Sequence, residues 1–252
     1  MVLLLAAGFP SENPAPINNN AKNASTAPYR VITVNDGGAI SGAVRFAAAY
    51  PRPNRIRVSK DNEVCGMRKV SETFIVSKEN KGLKNVLITV EGVEAGKAPA
   101  PVAEITVEQK GCAYVPHFQV AQMGSEGMNL KILNSDGILH NVHSYHRKRT
   151  LFNLAQPKSV KKIGKHLKRP GVVTLKCDVH AWMNAYIVLL KNQPYYAVTD
   201  ENGHFEIAGV PAGTYTLRAW HEALGEMEKP VTVATDQQAD VDFVIQPKSK
   251  KK

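Results

Sequence analysis

The sequence predicts an all-β protein built as two β-sandwiches. Three observations predict it. Almost every periodic segment is short and rich in β-branched residues. These segments are bounded by Gly, Pro, Asn or Asp. Turn signals recur at regular intervals along the 252 residues. Hydrophobic residues make up 43 % of the chain, enough for a packed core. No run approaches the roughly 18 apolar residues of a membrane span.

In chain order, residues 2–9 are apolar but lack a basic n-region. They are open to two readings, the stump of a secretory signal or a frayed tail. The Asn-, Pro-, Ala- and Ser-rich stretch that follows makes 1–29 a disordered lead-in. Strands are expected at 39–46, 55–58, 73–76, 86–90, 104–107, 129–133, 172–175 and 185–190. The one plausible helix is short, near 160–167. A boundary falls at 192–194, and strands resume at 196–199, 204–207, 214–219, 231–233 and 241–245. The expected organisation is therefore a sandwich over 30–192, a smaller one over 193–247, and a basic tail at 248–252.

Net charge is +10 and unevenly placed. Residues 147–169 hold nine Lys or Arg and no Asp or Glu, and Lys248 and Lys250 to Lys252 form a second basic cluster. The run is either a solvated loop or a steering surface for an acidic partner. With one aromatic, Phe152, and no zinc-finger or RNA-binding signature, it fits nucleic acid poorly. Cysteines are Cys65, Cys112 and Cys177. In an exported protein an odd count points to one bridge plus one thiol with another task. Cys177 sits among His and Met and is the odd one out, leaving Cys65 and Cys112 as a bridge or as two buried thiols.

The chemistry concentrates in Cys177-Asp178-Val179-His180-Ala181-Trp182-Met183, a tight loop between two expected strands. Cys-x2-His-x2-Met lets one loop point a thiolate, an imidazole and a thioether inward. A fourth donor, His140, follows Asn134-Ser135-Asp136-Gly137 at another strand–turn–strand junction. Two His, one Cys and a weak axial Met are the type 1 (blue) copper set. Thiolate favours Cu(II) and thioether favours Cu(I), so a compromise geometry suits single-electron transfer. Zinc also accepts Cys and His but rarely Met.

From about Tyr114 to Leu190 these residues resemble the cupredoxins, most of all the plastocyanin and amicyanin type. Asn129 to Asn134 is similar to the family's strand ending in Asn, and His140-Asn141-Val142 to its first ligand motif. Cys177, His180 and Met183 match its C-terminal ligand loop at the short, amicyanin-like spacing. The resemblance implies one copper ion on His140, Cys177, His180 and Met183, within a Greek-key sandwich. It also implies that Asn141 braces the ligand loop from outside the metal, and that an exposed edge of His180 is the electron's doorway. Trp182, bulky before Met183, departs from the pattern and would shield or reshape the site. About seventy residues before Tyr114 exceed a minimal cupredoxin, and are expected to add strands to the same sandwich. Farther on, Asp200-x-x-Gly203-x-Phe205 and Pro211-x-Gly213-x-Tyr215 resemble the carboxypeptidase regulatory-like, or transthyretin-like, module, which implies a structural or interaction role.

His143 faces away from His140 on a strand and is expected outside the ligand set, beside it. His117 is a hydrogen-bonded surface residue or lies near the metal. His146, His166 and His204 read as solvated. Trp220-His221-Glu222 is read as packing between the sandwiches, with a second metal site as its rival. No nucleophile elbow, phosphate loop, paired-Cys zinc motif or His-Glu-x-x-His is present, and four filled positions leave no open one, so no enzyme is expected. The expected function is electron carriage in the periplasm or outside the cell. The carrier would be a monomer. Its partner would be a c-type cytochrome or a copper or quinoprotein oxidoreductase, and the basic run suggests an acidic one. The rivals are a copper-binding or delivery protein, an envelope structural module, and a copper enzyme opened at Trp182 or His143.

Overall fold

The computed structural model describes residues 28–48, 51 and 54–246. The leader at 2–9, most of the lead-in to residue 29 and the 248–252 tail lie outside them. Among the described residues the chain is all-β, with one helix of four residues, Asn62–Cys65.

The first sandwich runs without interruption from Glu104 to Leu190. One sheet orders Lys162–Leu167, Met128–Asn134, Glu104–Gln109 and Tyr114–Val115. The other orders Arg149–Gln156, His140–His146, Gly171–Lys176, Asn184–Leu190 and Phe118–Gln122. Met128–Asn134 alternates buried and less buried residues, as a strand with one face on a core should. Its Leu130 and Ile132 share a core with Val107, Val142, Leu175 and Ile187. Asn184–Leu190 is instead buried along its whole middle. Ala185, Ile187 and Leu189 face that core, while Tyr186 and Val188 face the second sandwich. A strand covered on both sides needs a continuous apolar run, and Ala-Tyr-Ile-Val-Leu supplies it.

The second sandwich is assembled from both flanks of the first. One sheet orders Tyr196–Val198, Leu87–Glu91, Gly213–His221 and Gly225–Val233. The other orders His204–Val210, Gly38–Phe46 and Gln238–Asp240, with Phe243–Ile245 also beside Gly38–Phe46. The residues ahead of the first sandwich thus do not all extend it, contrary to expectation. Gly38–Phe46 and Leu87–Glu91 complete the C-terminal unit, because their buried Ile40, Val44, Ile88 and Val90 match Phe205, Ile207, Leu217 and Phe243. The Asn202-Gly203 turn holds Gly203 at φ 76°, and the Asp200 carboxylate accepts the Asn202 and His204 N–H groups, both at 2.8 Å.

Three local expectations change. Residues 160–167 form no helix; Lys162–Leu167 is a strand in six-residue antiparallel register with Met128–Asn134, whose pairing overrides local propensity. Residues 73–76 form no strand and contribute a single bridge, Val76 to Leu83. The 231–233 segment is the end of a longer strand, Gly225–Val233.

The sandwiches meet on Leu87 and Trp220 of one and Phe118, Val172, Tyr186 and Val188 of the other. The Phe118 and Trp220 rings stack at 6.1 Å. Beside them His117 Nε2 lies 2.9 and 3.1 Å from the Glu222 carboxylate oxygens, and Nδ1 lies 3.1 Å from the Asn184 carbonyl. Burial pushes Glu222 up, against the lowering contact with His117. Burial pulls His117 down, but the hydrogen bond and charge of Glu222 outweigh it and raise His117. The rival reading of a metal site at His221 gains nothing here, since His221 is fully buried and its Nδ1 accepts the Ala223 N–H at 3.1 Å.

Candidate metal centre

The turn before His140 is locked by Asn134. Its amide donates to the Ile138 and Gln156 carbonyls at 2.9 and 3.0 Å, and its oxygen accepts the Asp136 N–H at 3.2 Å. Gly137, at φ 69°, supplies the left-handed residue this turn requires. His140 is thereby delivered buried at the first position of its strand.

The loop from Cys177 to Met183 closes on itself. Cys177 N–H donates to the Met183 carbonyl at 3.2 Å, and Met183 N–H to the His180 carbonyl at 2.9 Å. Asn141 ties this loop to the His140 strand. Its side-chain oxygen accepts the Asp178 and Val179 N–H groups at 2.6 and 3.2 Å, and its own N–H points at Cys177 Sγ at 3.5 Å. These contacts fasten the loop to the strand that carries His140.

The result is a group of three potential ligands, His140, Cys177 and His180, all buried, with ligand atoms within 4.8 Å of one another. His140 Nδ1 and His180 Nδ1 are 3.0 Å apart, and Cys177 Sγ is 3.7 Å from His180 Nδ1. Met183 is buried in the same cluster as Cys177. His143 lies outside the group: its ring contacts Asp178 at 3.1 Å, Tyr145 at 2.8 Å and Thr150 at 3.1 Å. The Trp182 ring sits 5.0 Å from that of His180, and its N–H donates to the Cys112 carbonyl at 3.1 Å. Cys65 and Cys112 are bridged.

Two carboxylates complete the site, and sequence reading missed both. His140 Nε2 lies 2.9 Å from Asp136 Oδ2, and His180 Nε2 lies 2.9 Å from Asp61 Oδ2. Asp136 stands four residues before His140 and was a findable signal; Asp61 is 119 residues from His180 and left none. The contact also corrects the expected doorway. His180 has no exposed edge, because the segment carrying Asp61 covers its outer nitrogen.

Since carboxylates only accept, each imidazole carries its proton on Nε2 and turns Nδ1 to the centre. Burial pulls His140 down, but hydrogen bonds to Asp136 and Cys177 outweigh it and push it up to about 9. Burial and the neighbouring His140 charge hold His180 below its ordinary value. Burial raises Cys177, but the His140 contact and the N–H groups of Asn141, His180 and Val179 lower it further, favouring thiolate. One thiolate and two inward imidazoles, with a buried thioether on the same loop, fit copper; zinc would lack a fourth hard or thiolate donor.

Residues 171–246 match the Carboxypeptidase regulatory-like domain family. That span includes the ligand loop, although strand pairing joins residues 171–190 to the first sandwich. No curated protein matches the chain. Solved structures similar to part of it include the reduced state of a singly substituted amicyanin, at 17 % identity and TM-score 0.30 over 38 % of this chain and 96 % of that one. A purple cupredoxin from Nitrosopumilus maritimus is 18 % identical, at TM-score 0.29 over 35 % of this chain and 100 % of that one. A copper-containing nitrite reductase from Thermus scotoductus SA-01 is 17 % identical, at TM-score 0.28 over 37 % of this chain. The match spans 24 % of that reductase's length. Among the described residues no helix is long and apolar enough to cross a membrane.

Proposed function

We propose that the chain is a type 1 copper protein that carries single electrons between extracytoplasmic redox partners and is not itself an enzyme. The observation that carries this reading is the buried convergence of His140, Cys177 and His180, with each outer imidazole nitrogen already held by a carboxylate. His140, Cys177 and His180 would hold the ion, with Met183 as the axial donor. Copper would supply the Cu(II)/Cu(I) couple. The protein's part is to keep both rings fixed, exclude water and hold the thiolate, so that little moves when an electron arrives.

The basic run supports an acidic partner, such as a c-type cytochrome or another oxidoreductase. Its strands Arg149–Gln156 and Lys162–Leu167 are the edge strands of the two facing sheets, and Arg149, Lys158, Lys161, Lys162, Lys168 and Arg169 are exposed there. Copper-loaded protein should show an intense visible band and a type 1 EPR signal, and Cys177→Ser should abolish both. A colourless wild type that takes up no Cu(II) would end the proposal.

A further inference from the structure

Although Val58 and Cys65 are buried against the core of the first sandwich, residues 55–70 pair with neither sandwich's sheets. They form a two-stranded ribbon, Arg55–Arg57 against Arg68–Val70, with the helix Asn62–Cys65 at its tip. Asp61 is the helix N-cap, a position where Asp ordinarily accepts the helix's own N–H groups. Here it makes no side-chain cap bond. Its backbone is left-handed, at φ 52° and ψ 40°, and its carboxylate sits on His180 Nε2 instead. A capping residue that gives up its cap for a ligand's ring nitrogen is a local departure that points to the site.

The tip is fastened at its other end. Cys65 is bridged to Cys112, and Lys69 Nζ donates to the Gly111 carbonyl. The same turn gives its Gly111 and Cys112 N–H groups to Asp136, which holds His140. One turn therefore braces both imidazoles, His140 through Asp136 and His180 through the bridged tip.

We propose that Asp61 is a positioning residue for His180, and that the ribbon tip is a cover over the metal centre latched by Cys65–Cys112. Reagents and metal then reach the His180 side more slowly in the intact protein than when the latch or Asp61 is removed. The cover stands whatever fills the centre; the part concerning metal rests on the copper reading.

The test uses the full chain. Metal-free protein is treated with diethyl pyrocarbonate, and acylation of His180 is followed by peptide mass. Wild-type His180 should react slowly. Asp61→Ala and the Cys65→Ser/Cys112→Ser pair should react at least ~10-fold faster, and Asp61→Asn, which keeps an acceptor oxygen, should restore most of the protection. With copper loaded, Asp61→Ala should weaken binding by about 10–100-fold and release Cu(I) faster to bathocuproine. Equal His180 labelling in wild type and Asp61→Ala, at unchanged circular dichroism, overturns the cover. Because Asp61→Asn is nearly isosteric and its side chain is 34 % exposed, it serves as the folded control if the cysteine pair fails to fold. If wild type binds no copper while His180 is still protected by Asp61, the cover stands and the copper reading falls. If copper binds and Asp61→Ala alters neither labelling nor release, the cover falls alone.

Discussion

The two sandwiches are made from similar strands yet differ in how the chain builds them. The first uses one uninterrupted stretch, and four of its buried residues, His140, Asn141, Cys177 and His180, meet at one site. The second is closed by strands from both sides of the first; its apolar core runs from Ile40 and Val44 to Leu217 and Phe243, while its buried Arg218, His221 and Glu222 lie along or just past the strand Gly213–His221. The first gives part of its interior to chemistry, and the second is a scaffold in which the first is inserted. The unit with the candidate metal centre thus leans on a neighbour whose buried Arg218 and Glu222 are already held in ion pairs.

Three experiments break or sharpen that contrast. The largest effect is expected at the joint. Trp220 is 1 % exposed and packs on Phe118, so Trp220→Ala should cost about 3–5 kcal/mol and split unfolding into two transitions. With Trp220 gone, Trp182 fluorescence reports the first sandwich alone, since the chain has two Trp. A single transition with a loss under ~1 kcal/mol would show that the joint does not support the pair.

The second effect concerns pH. His221 is wholly buried, and burial with the His117 charge holds it down at about 3, against 6.5 ordinarily. Unfolded His221 takes a proton that the folded form refuses, so its contribution is present above pH 6.5 and is lost as pH falls toward 3. The slope is up to ~1.4 kcal/mol per pH unit. His117 is raised, so its contribution is present below 6.5 and is lost as pH rises through its folded value. The joint should therefore weaken on both sides of about pH 6.5, which urea titrations at several pH values measure. His221→Gln should flatten only the acid side; an unchanged acid slope in that variant would remove His221 from the account.

The smallest effect is electrostatic. Lys161→Glu with Lys162→Glu should slow reduction by an acidic c-type cytochrome severalfold at low salt, with the difference shrinking near 0.15 M, where the screening length is about 8 Å. Stopped-flow rates equal to wild type at low salt would place docking elsewhere.

Much of this was legible from residues. The strands with one covered face announced themselves by alternation, and the ligand loop by three donor types within seven positions, Cys177 to Met183. The bridge between Cys65 and Cys112 was readable from the cysteine count once export was assumed. What was not legible depended on long-range placement. Gly38–Phe46 shows a strand's pattern but nothing in it says which sheet it joins; its partner His204–Val210 lies beyond the whole first sandwich. Lys162–Leu167 looked helical because its paired strand, Met128–Asn134, is distant and pairing outweighs propensity. The covering of His180 was invisible for the same reason, since Asp61 reaches it only through the fold.

The parallel contact between Gly38–Phe46 and Phe243–Ile245 has a mechanical side. Tension applied to the flanks before residue 38 and after residue 245 loads these hydrogen bonds in shear, all together, instead of peeling them one at a time. The inserted sandwich lies outside that line of force. Stretched between two anchors, the protein should yield first at this outer clasp, with the His140–Cys177–His180 centre still intact, and single-molecule pulling of the full chain would record the order.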